Sequence, residues 1–365
     1  MITVYGAVME SQGGNYLFNN VDQQQPEWAR DRPITFEDLG IPRSQSTRAT
    51  VFGNIRTCQS LCLLEWVLLM GGLMSTLITI GLAVYRLFFL SPGTPDYVFA
   101  MLIIFHSGFC IIYILDGVFR EQAFEILAFV ASCAILIIYV LLNFVKESQS
   151  TSDVFKLVRL VLTLIFGSSL GVIGLILGYN YWQSENLIFR TVGADSTIQA
   201  MCRNFFTAIT LILFDTQIVG SVVILSLHDG ITKLDLEEIM ILSVGPPLLL
   251  VWAIITYLAL RVESSYLFTV AMMLSPCHVV FVLAAIIQTA LNQDVNLIAQ
   301  CRYAASSGSL LVHIVLIVFM IKCYRNFGLG LKEKGSPSAS ISSPSSKQLN
   351  ARDIYFNVKV LGGTT

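Results

Sequence analysis

The residues able to do chemistry in this chain are few and oddly placed. Asp215 lies in the stretch ITLILFDTQIVGSVVIL, an apolar run long enough to cross a membrane. Of only four histidines, three also lie inside apolar runs: His106, His278 and His313. An ionised aspartate at mid-bilayer costs about 2.5–3.5 kcal/mol even on a lenient insertion scale. It must face other helices, stay protonated or find a partner, and an imidazole, which donates, accepts or carries charge, is a natural one. The four residues can act as a proton relay, as a cation site of carboxylate and imidazole ligands, or as hydrogen-bond anchors of a ligand pocket. They can also be core residues satisfied by neighbouring helices. Thr216 and Gln217 beside Asp215 add polarity that suits a cavity or an interhelical bond equally.

The elements that must position them are membrane helices. The 365 residues are 55% hydrophobic and 13% charged, about half the charge of an ordinary soluble domain. Eight apolar segments, about 62–84, 97–118, 122–144, 157–179, 204–227, 240–261, 266–290 and 303–323, each approach the roughly 20 residues that a spanning helix needs. Lipid offers backbone polar groups no partner, so the segments must be helical. The expected fold is an all-α, polytopic bundle of about eight transmembrane helices. Counting along the segments puts Asp215 and the three histidines near their helix midpoints, in one slab.

Residues 1–56 mix charge, Gln, Gly and Pro and read as a mostly flexible arm with a short ordered piece around Ile34–Ile41. Residues 57–326 form the membrane domain. Residues 327–365 open on a Ser/Pro/Lys-rich stretch expected to be disordered. No signal-peptide core precedes the first span, so that span is expected to direct insertion. An even number of spans puts both termini on one side. Placing them in the cytosol leaves sixteen Lys and Arg inside against six outside, as the positive-inside rule asks. Lys146, Lys156 and Arg159 run against it.

Several features bear on packing. Gly167, Gly171, Gly174 and Gly178 fall on one face of the fourth segment. Such small-residue faces let helices approach closely in lipid, as a sliding contact or a static seam. Pro246, Pro247 and Pro276 should kink or break the sixth and seventh helices. Ser196 and Gln199 make a capping box, so a helix should begin at Thr197 and run straight into the fifth span. A second acidic set, Glu65, Asp116, Glu121 and Glu125 with Arg120, falls near the cytosolic ends of the first three spans. It reads as an interfacial ion network or as a mouth that attracts cations.

The block GADSTIQAMCRNFFTAITLILFDTQ resembles one found in uncharacterised eukaryotic multi-pass proteins, whose fungal members are described as Golgi apparatus membrane proteins and whose animal relatives carry a domain of unknown function. The residues that carry the resemblance are Gly193, Ala194, Asp195, Met201, Arg203, Phe214 and Asp215. The family usually has a lysine just before the Phe-Asp pair; this chain has Leu213. The resemblance implies an endomembrane location, Golgi or otherwise, and no known activity.

The expected function is that of a transporter or channel-like protein, proton-coupled or otherwise, with Asp215, His106, His278 and His313 meeting at one cavity. The alternative is an endomembrane trafficking, scaffold or receptor-like protein without transport activity. Tyr355-Phe-Asn-Val358 fits a sorting signal for trafficking adaptors, and Ser336 and Ser343 precede prolines. The lipid bilayer is the one partner implied throughout, in an endomembrane or the plasma membrane. No basic cluster argues for nucleic acid, no Cys or His spacing reads as a metal site, no cofactor motif is present, and no residue set is placed for catalysis.

Overall fold

The computed structural model describes residues 47–50, 53–90, 94–147, 154–184, 196–226, 236–291 and 297–328. The piece expected around Ile34–Ile41, the Gly193–Asp195 part of the family-like block, Ser336, Ser343 and the Tyr355–Val358 signal lie outside them. Two short strands, β1 (Thr47–Thr50) and β2 (Gly53–Arg56), form an antiparallel hairpin with Thr47 opposite Arg56. The end of the expected arm is therefore regular structure, and it delivers Arg56 to the start of the first membrane helix.

Among the described residues eight long helices follow: α1 (Leu63–Leu87), α2 (Pro95–Phe119), α3 (Ala123–Glu147), α4 (Val154–Ser184), α5 (Ser196–Ser226), α6 (Leu236–Val262), α7 (Ser265–Leu291) and α8 (Leu297–Tyr324). Each is long and apolar enough to cross a membrane. The chain is a multi-pass membrane protein of all-helical architecture. α5 starts at Ser196, one residue before the expected Thr197, and loop helix and span are one 31-residue rod. α6 and α7 run unbroken through Pro246, Pro247 and Pro276. Of the expected kink or break, no break occurs, because apolar length on both sides of each proline keeps the rest of the helix obligatory in lipid.

Within α1–α4 each helix packs on the next and α4 returns to α1. α5–α8 repeat that ring, with α5 against α6, α6 against α7, α7 against α8 and α8 back on α5. The rings meet where α2 and α3 pack on α5. α5 is accordingly the most enclosed helix: 61% of its apolar window is buried, against 28% for α1. A core of Leu68, Tyr113, Ile126 and Phe129 fills the first ring, and one of Ala208, Trp252, Leu260 and Leu316 fills the second. The outward faces of α1 and α4, with Leu77, Met74, Ile165 and Val172, present apolar side chains, as lipid requires.

The glycine face of α4 is only partly a seam. Cβ atoms at Gly167, Gly174 and Gly178 would touch Ile137, Val130 and Ile126 of α3, whereas nothing lies within 4 Å of one at Gly171. Helical spacing put all four on one side, but the contact with α3 takes three and passes Gly171. The tighter approach is on α5: a Cβ at Gly220 would collide with the ring of Phe105 of α2. Gly220→Ala is expected to cost about 1–3 kcal/mol by overpacking. Gly171→Ala should be neutral or stabilising by up to about 1 kcal/mol. Unfolding midpoints in detergent check both, and equal midpoints would contradict the packing described.

Candidate functional site

Asp215 and Gln217 are two residues apart on α5, about 200° around the helix. They face opposite neighbours, and the polar residues of the interior divide into two groups on that account.

Asp215 faces α7 and α8 and is fully buried, at 0% exposure. Its Oδ2 lies 2.9 Å from Nδ1 of His313 and 3.6 Å from Nδ1 of His278. The two imidazoles stack, with centroids 4.0 Å apart and planes 17° from parallel. Their outer nitrogens are held crosswise. Nε2 of His313, on α8, lies 2.9 Å from Ser275 of α7, and Nε2 of His278, on α7, lies 3.1 Å from Ser309 of α8. Ser309 also lies 3.5 Å from Oδ1 of Asp215. α6 closes the group with Trp252, whose ring centroid is 5.6 Å from that of His278 and 5.1 Å from that of His313. The indole N–H is anchored on the carbonyl of Ala271, 3.0 Å away.

The charge account of this group is simple. No Lys or Arg pairs with Asp215 among the described residues. An ionised Asp215 between neutral imidazoles leaves a net charge of minus one where solvation is poorest. One added positive charge, a proton or a metal ion, removes that deficit.

His106 belongs to the other face. Its Nδ1 lies 2.5 Å from Nε2 of Gln217 and its Nε2 lies 2.9 Å from Ser221. The amide N–H of Gln217 can only donate, so Nδ1 of His106 accepts and Nε2 carries the proton toward Ser221. Tyr113 and Ser132 each donate to Oε1 of Gln217 at 3.0 Å. Every polar atom in this set has a partner. It is a closed hydrogen-bond network that locks α5 to α2 and α3. Of the four expected residues the structure therefore brings three together, and His106 is not among them, because its level in the membrane says nothing about its azimuth.

The residues of the shallow acidic set divide among separate partners. Nη1 of Arg56 lies 2.8 Å from Glu65 and 2.7 Å from Glu121, and Arg56 also holds the carbonyl of Ser60. Burial acts to lower the Arg56 pKa, but Glu121 and Glu65 outweigh it and hold the guanidinium above its ordinary value. Tyr181 donates to Glu65 at 2.6 Å, and Glu65 caps α1 by accepting from the N–H of Cys62 at 2.7 Å. Arg120 pairs with Asp116 at 3.0 Å, one turn away. Glu125 accepts from Thr210 of α5 at 2.9 Å. In the family-like block, Arg203 lies over the ring of Trp182, and Phe214 and Leu213 pack on the first core.

A family model for a domain of unknown function, DUF7789, matches residues 52–179 and 192–322. The chain belongs to the DUF7789 family. No curated protein and no solved structure matches. The two matched stretches cover the two helix rings, and the DUF7789 chain repeats itself between them. Gly53, Thr57, Gln59 and Cys62 recur at one offset as Gly193, Thr197, Gln199 and Cys202. The turn between second and third helices holds a glutamate at positive φ in each ring, Glu121 at 50° and Glu263 at 54°. Near the start of each fourth helix lies a buried arginine. Arg159 reaches Asn143 of α3 at 3.0 Å, once that amide is turned to serve both Arg159 and Asp96. Arg302 reaches Thr289 and Gln288 of α7. The offset that joins the arginines sets Leu170 opposite His313, and the one that joins the cysteines sets Ser75 opposite Asp215. The Asp/His group thus belongs to the second ring alone.

Reading the sequence missed Ser275, Ser309, Trp252, Arg56, Tyr181 and the Gln217 network. The repeated Gly-x3-Thr-x-Gln-x2-Cys was a visible signal for the duplication. The seven-residue spacing of Glu125, Ser132 and Tyr139, matched by Thr210 and Gln217, was a visible signal for the α3/α5 seam.

Gln217→Leu strands the hydroxyls of Tyr113 and Ser132 and one nitrogen of His106. It is expected to destabilise the protein by about 1–3 kcal/mol, read as an earlier unfolding midpoint. Arg56→Gln removes the shared counter-ion of two carboxylates. It should cost about 2 kcal/mol, whereas Arg120→Gln, in a half-exposed one-turn pair, should cost about 0.3–0.5 kcal/mol. Side-by-side melts of the two arginine variants check that ordering.

Proposed function

We propose that this protein is a transporter or channel-like protein of an endomembrane, and that it takes a cation at Asp215, His278 and His313. The observation that carries the reading is the buried carboxylate of Asp215, whose partners are two imidazoles and one hydroxyl with no fixed cation among them. A purely structural aspartate in this position gains from a lysine or arginine, and none pairs with it among the described residues. Here the counter-charge is free to come and go. The polar site also lies between helices of a multi-pass bundle whose two rings enter the membrane from the same side, the arrangement of parallel-repeat transporters. The endomembrane location rests on the resemblance carried by the Gly193–Gln217 block, and cytosolic termini rest on the excess of Lys and Arg in the terminal segments.

The test is flux. The purified chain is placed in liposomes loaded with a pH dye or with a divalent-metal dye, and a cation gradient is imposed. The intact protein should carry one of the two faster than empty liposomes, and Asp215→Asn should lower that rate at least tenfold while its unfolding midpoint stays close to that of the parent. No flux of either cation by the intact protein would sink the reading, and so would equal flux by the variant.

A further inference from the structure

We infer that the cation taken at this site is a divalent transition metal of the zinc class, bound by Oδ2 of Asp215, Nδ1 of His278 and Nδ1 of His313. The inference rests on the cation reading above for its place in transport, but binding itself is measured apart from flux.

The donor atoms are already gathered. One ligand atom from each of the three residues lies within 4.8 Å of the other two. Zinc binds nitrogen and carboxylate oxygen at about 2.0–2.1 Å in a tetrahedron, so neighbouring ligand atoms stand about 3.3–3.4 Å apart. The two edges from Oδ2, 2.9 Å to His313 and 3.6 Å to His278, fall on either side of that value. The longer edge is past the reach of a useful hydrogen bond. A shared proton needs one carboxylate and one imidazole. The second imidazole, turned with its Nδ1 toward the same oxygen, has no task in that arrangement and a clear one in a three-ligand metal site.

The outer contacts agree. A metal-bound histidine is usually held through its other ring nitrogen, which fixes the tautomer and aims the lone pair. Both imidazoles are held so, His313 on Ser275 and His278 on Ser309, each across the α7/α8 contact. With Nε2 donating to serine, Nδ1 is the bare nitrogen on the side of Asp215. Two imidazoles and a carboxylate suit zinc and its neighbours better than calcium or magnesium, which prefer all-oxygen sets. The stacked rings hold their lone pairs side by side, so closing on an ion requires each ring to turn about its Cβ–Cγ bond. The three protein ligands leave a coordination position for water, as sites that exchange or act on a ligand do. No local spacing announces the set, because its members come from α5, α7 and α8.

The experiment uses the full chain, purified in detergent, stripped with a chelator and reloaded with Zn2+ or Co2+. Bound metal is counted by elemental analysis after dialysis, and the Co2+ absorption spectrum reports the ligands, since cysteine thiolates give an intense near-ultraviolet band that nitrogen and oxygen do not. The expected result is one ion per chain, a tetrahedral Co2+ spectrum without the thiolate band, and at least tenfold weaker binding in both His278→Gln and His313→Gln. Ser275→Ala, which touches no metal, should weaken binding about ten- to hundredfold. A thiolate spectrum, no bound metal, or full binding by both histidine variants overturns the inference. Metal binding without flux would refute the transport reading and leave the site standing. Proton flux without metal binding would do the reverse.

Discussion

The structure depends on one constraint: a polar side chain inside the bundle has to be answered by a side chain from another helix. α5 meets that demand on two faces at once. Gln217 engages Tyr113 and His106 of α2 and Ser132 of α3, while Asp215 engages His278 of α7 and His313 of α8. Apolar contacts alone specify helix pairing weakly in lipid, since a leucine packs on a lipid tail about as well as on another leucine. The two polar clusters therefore fix which sides of α5 meet which ring, and Gly220 lets α2 come close enough for the Gln217 network to form.

Duplication explains why this arrangement is lopsided. The rings share helix order, the positive-φ turn between second and third helices, and a buried arginine that ties the fourth helix to the third. These shared features sit at helix ends, where they set the geometry of the unit. What differs lies at mid-membrane. The first ring has Leu170 and Ser75 where the second has His313 and Asp215, so it is filled by a core of Tyr113, Phe129 and Ile126. One copy of the unit is a packed scaffold, and the other carries the costly group. A scaffold without the Asp/His group can supply the stability that a unit with one consumes.

The division also marks how far the sequence could be read. Span number followed from apolar length, because lipid leaves the backbone no choice. The Arg120–Asp116 pair followed from charges one helical turn apart at a helix end. The one-rod α5 was expected, although its first residue is Ser196 itself and not the Thr197 that follows it. Membership of the Asp215 site did not follow for His106, since counting residues gives depth in the membrane but not which neighbour a face meets. Gly171 misled for the same reason, sharing a face with glycines that touch α3 without touching it itself. Pro246, Pro247 and Pro276 were expected to kink or break their helices, and no break occurs: a proline removes one backbone bond, while the lipid enforces all the others. Ser275 and Ser309 were invisible because a serine in an apolar helix usually bonds its own preceding carbonyl, and only the crosswise α7/α8 geometry shows otherwise.

The three helices around Asp215 are not held equally. α8 lies along much of α5 and brings His313 to 2.9 Å, whereas α7 meets α5 slightly and leaves His278 at 3.6 Å. α5 itself is pinned from behind by Gln217, whose side chain has three partners in the first ring. A positive charge arriving between the three ligands attracts all of them, but the displacement falls on the element with the least to lose. That element is α7, which is tied to α8 through the His278–Ser309 and His313–Ser275 pairs and carries Pro276 within its helix beside both Ser275 and His278. The missing backbone bond at Pro276 lowers the cost of bending at the level of the site. The proline that does not break the helix is thus placed where a small bend of α7 would bring His278 toward Asp215 without disturbing the network that binds α5 to the first ring.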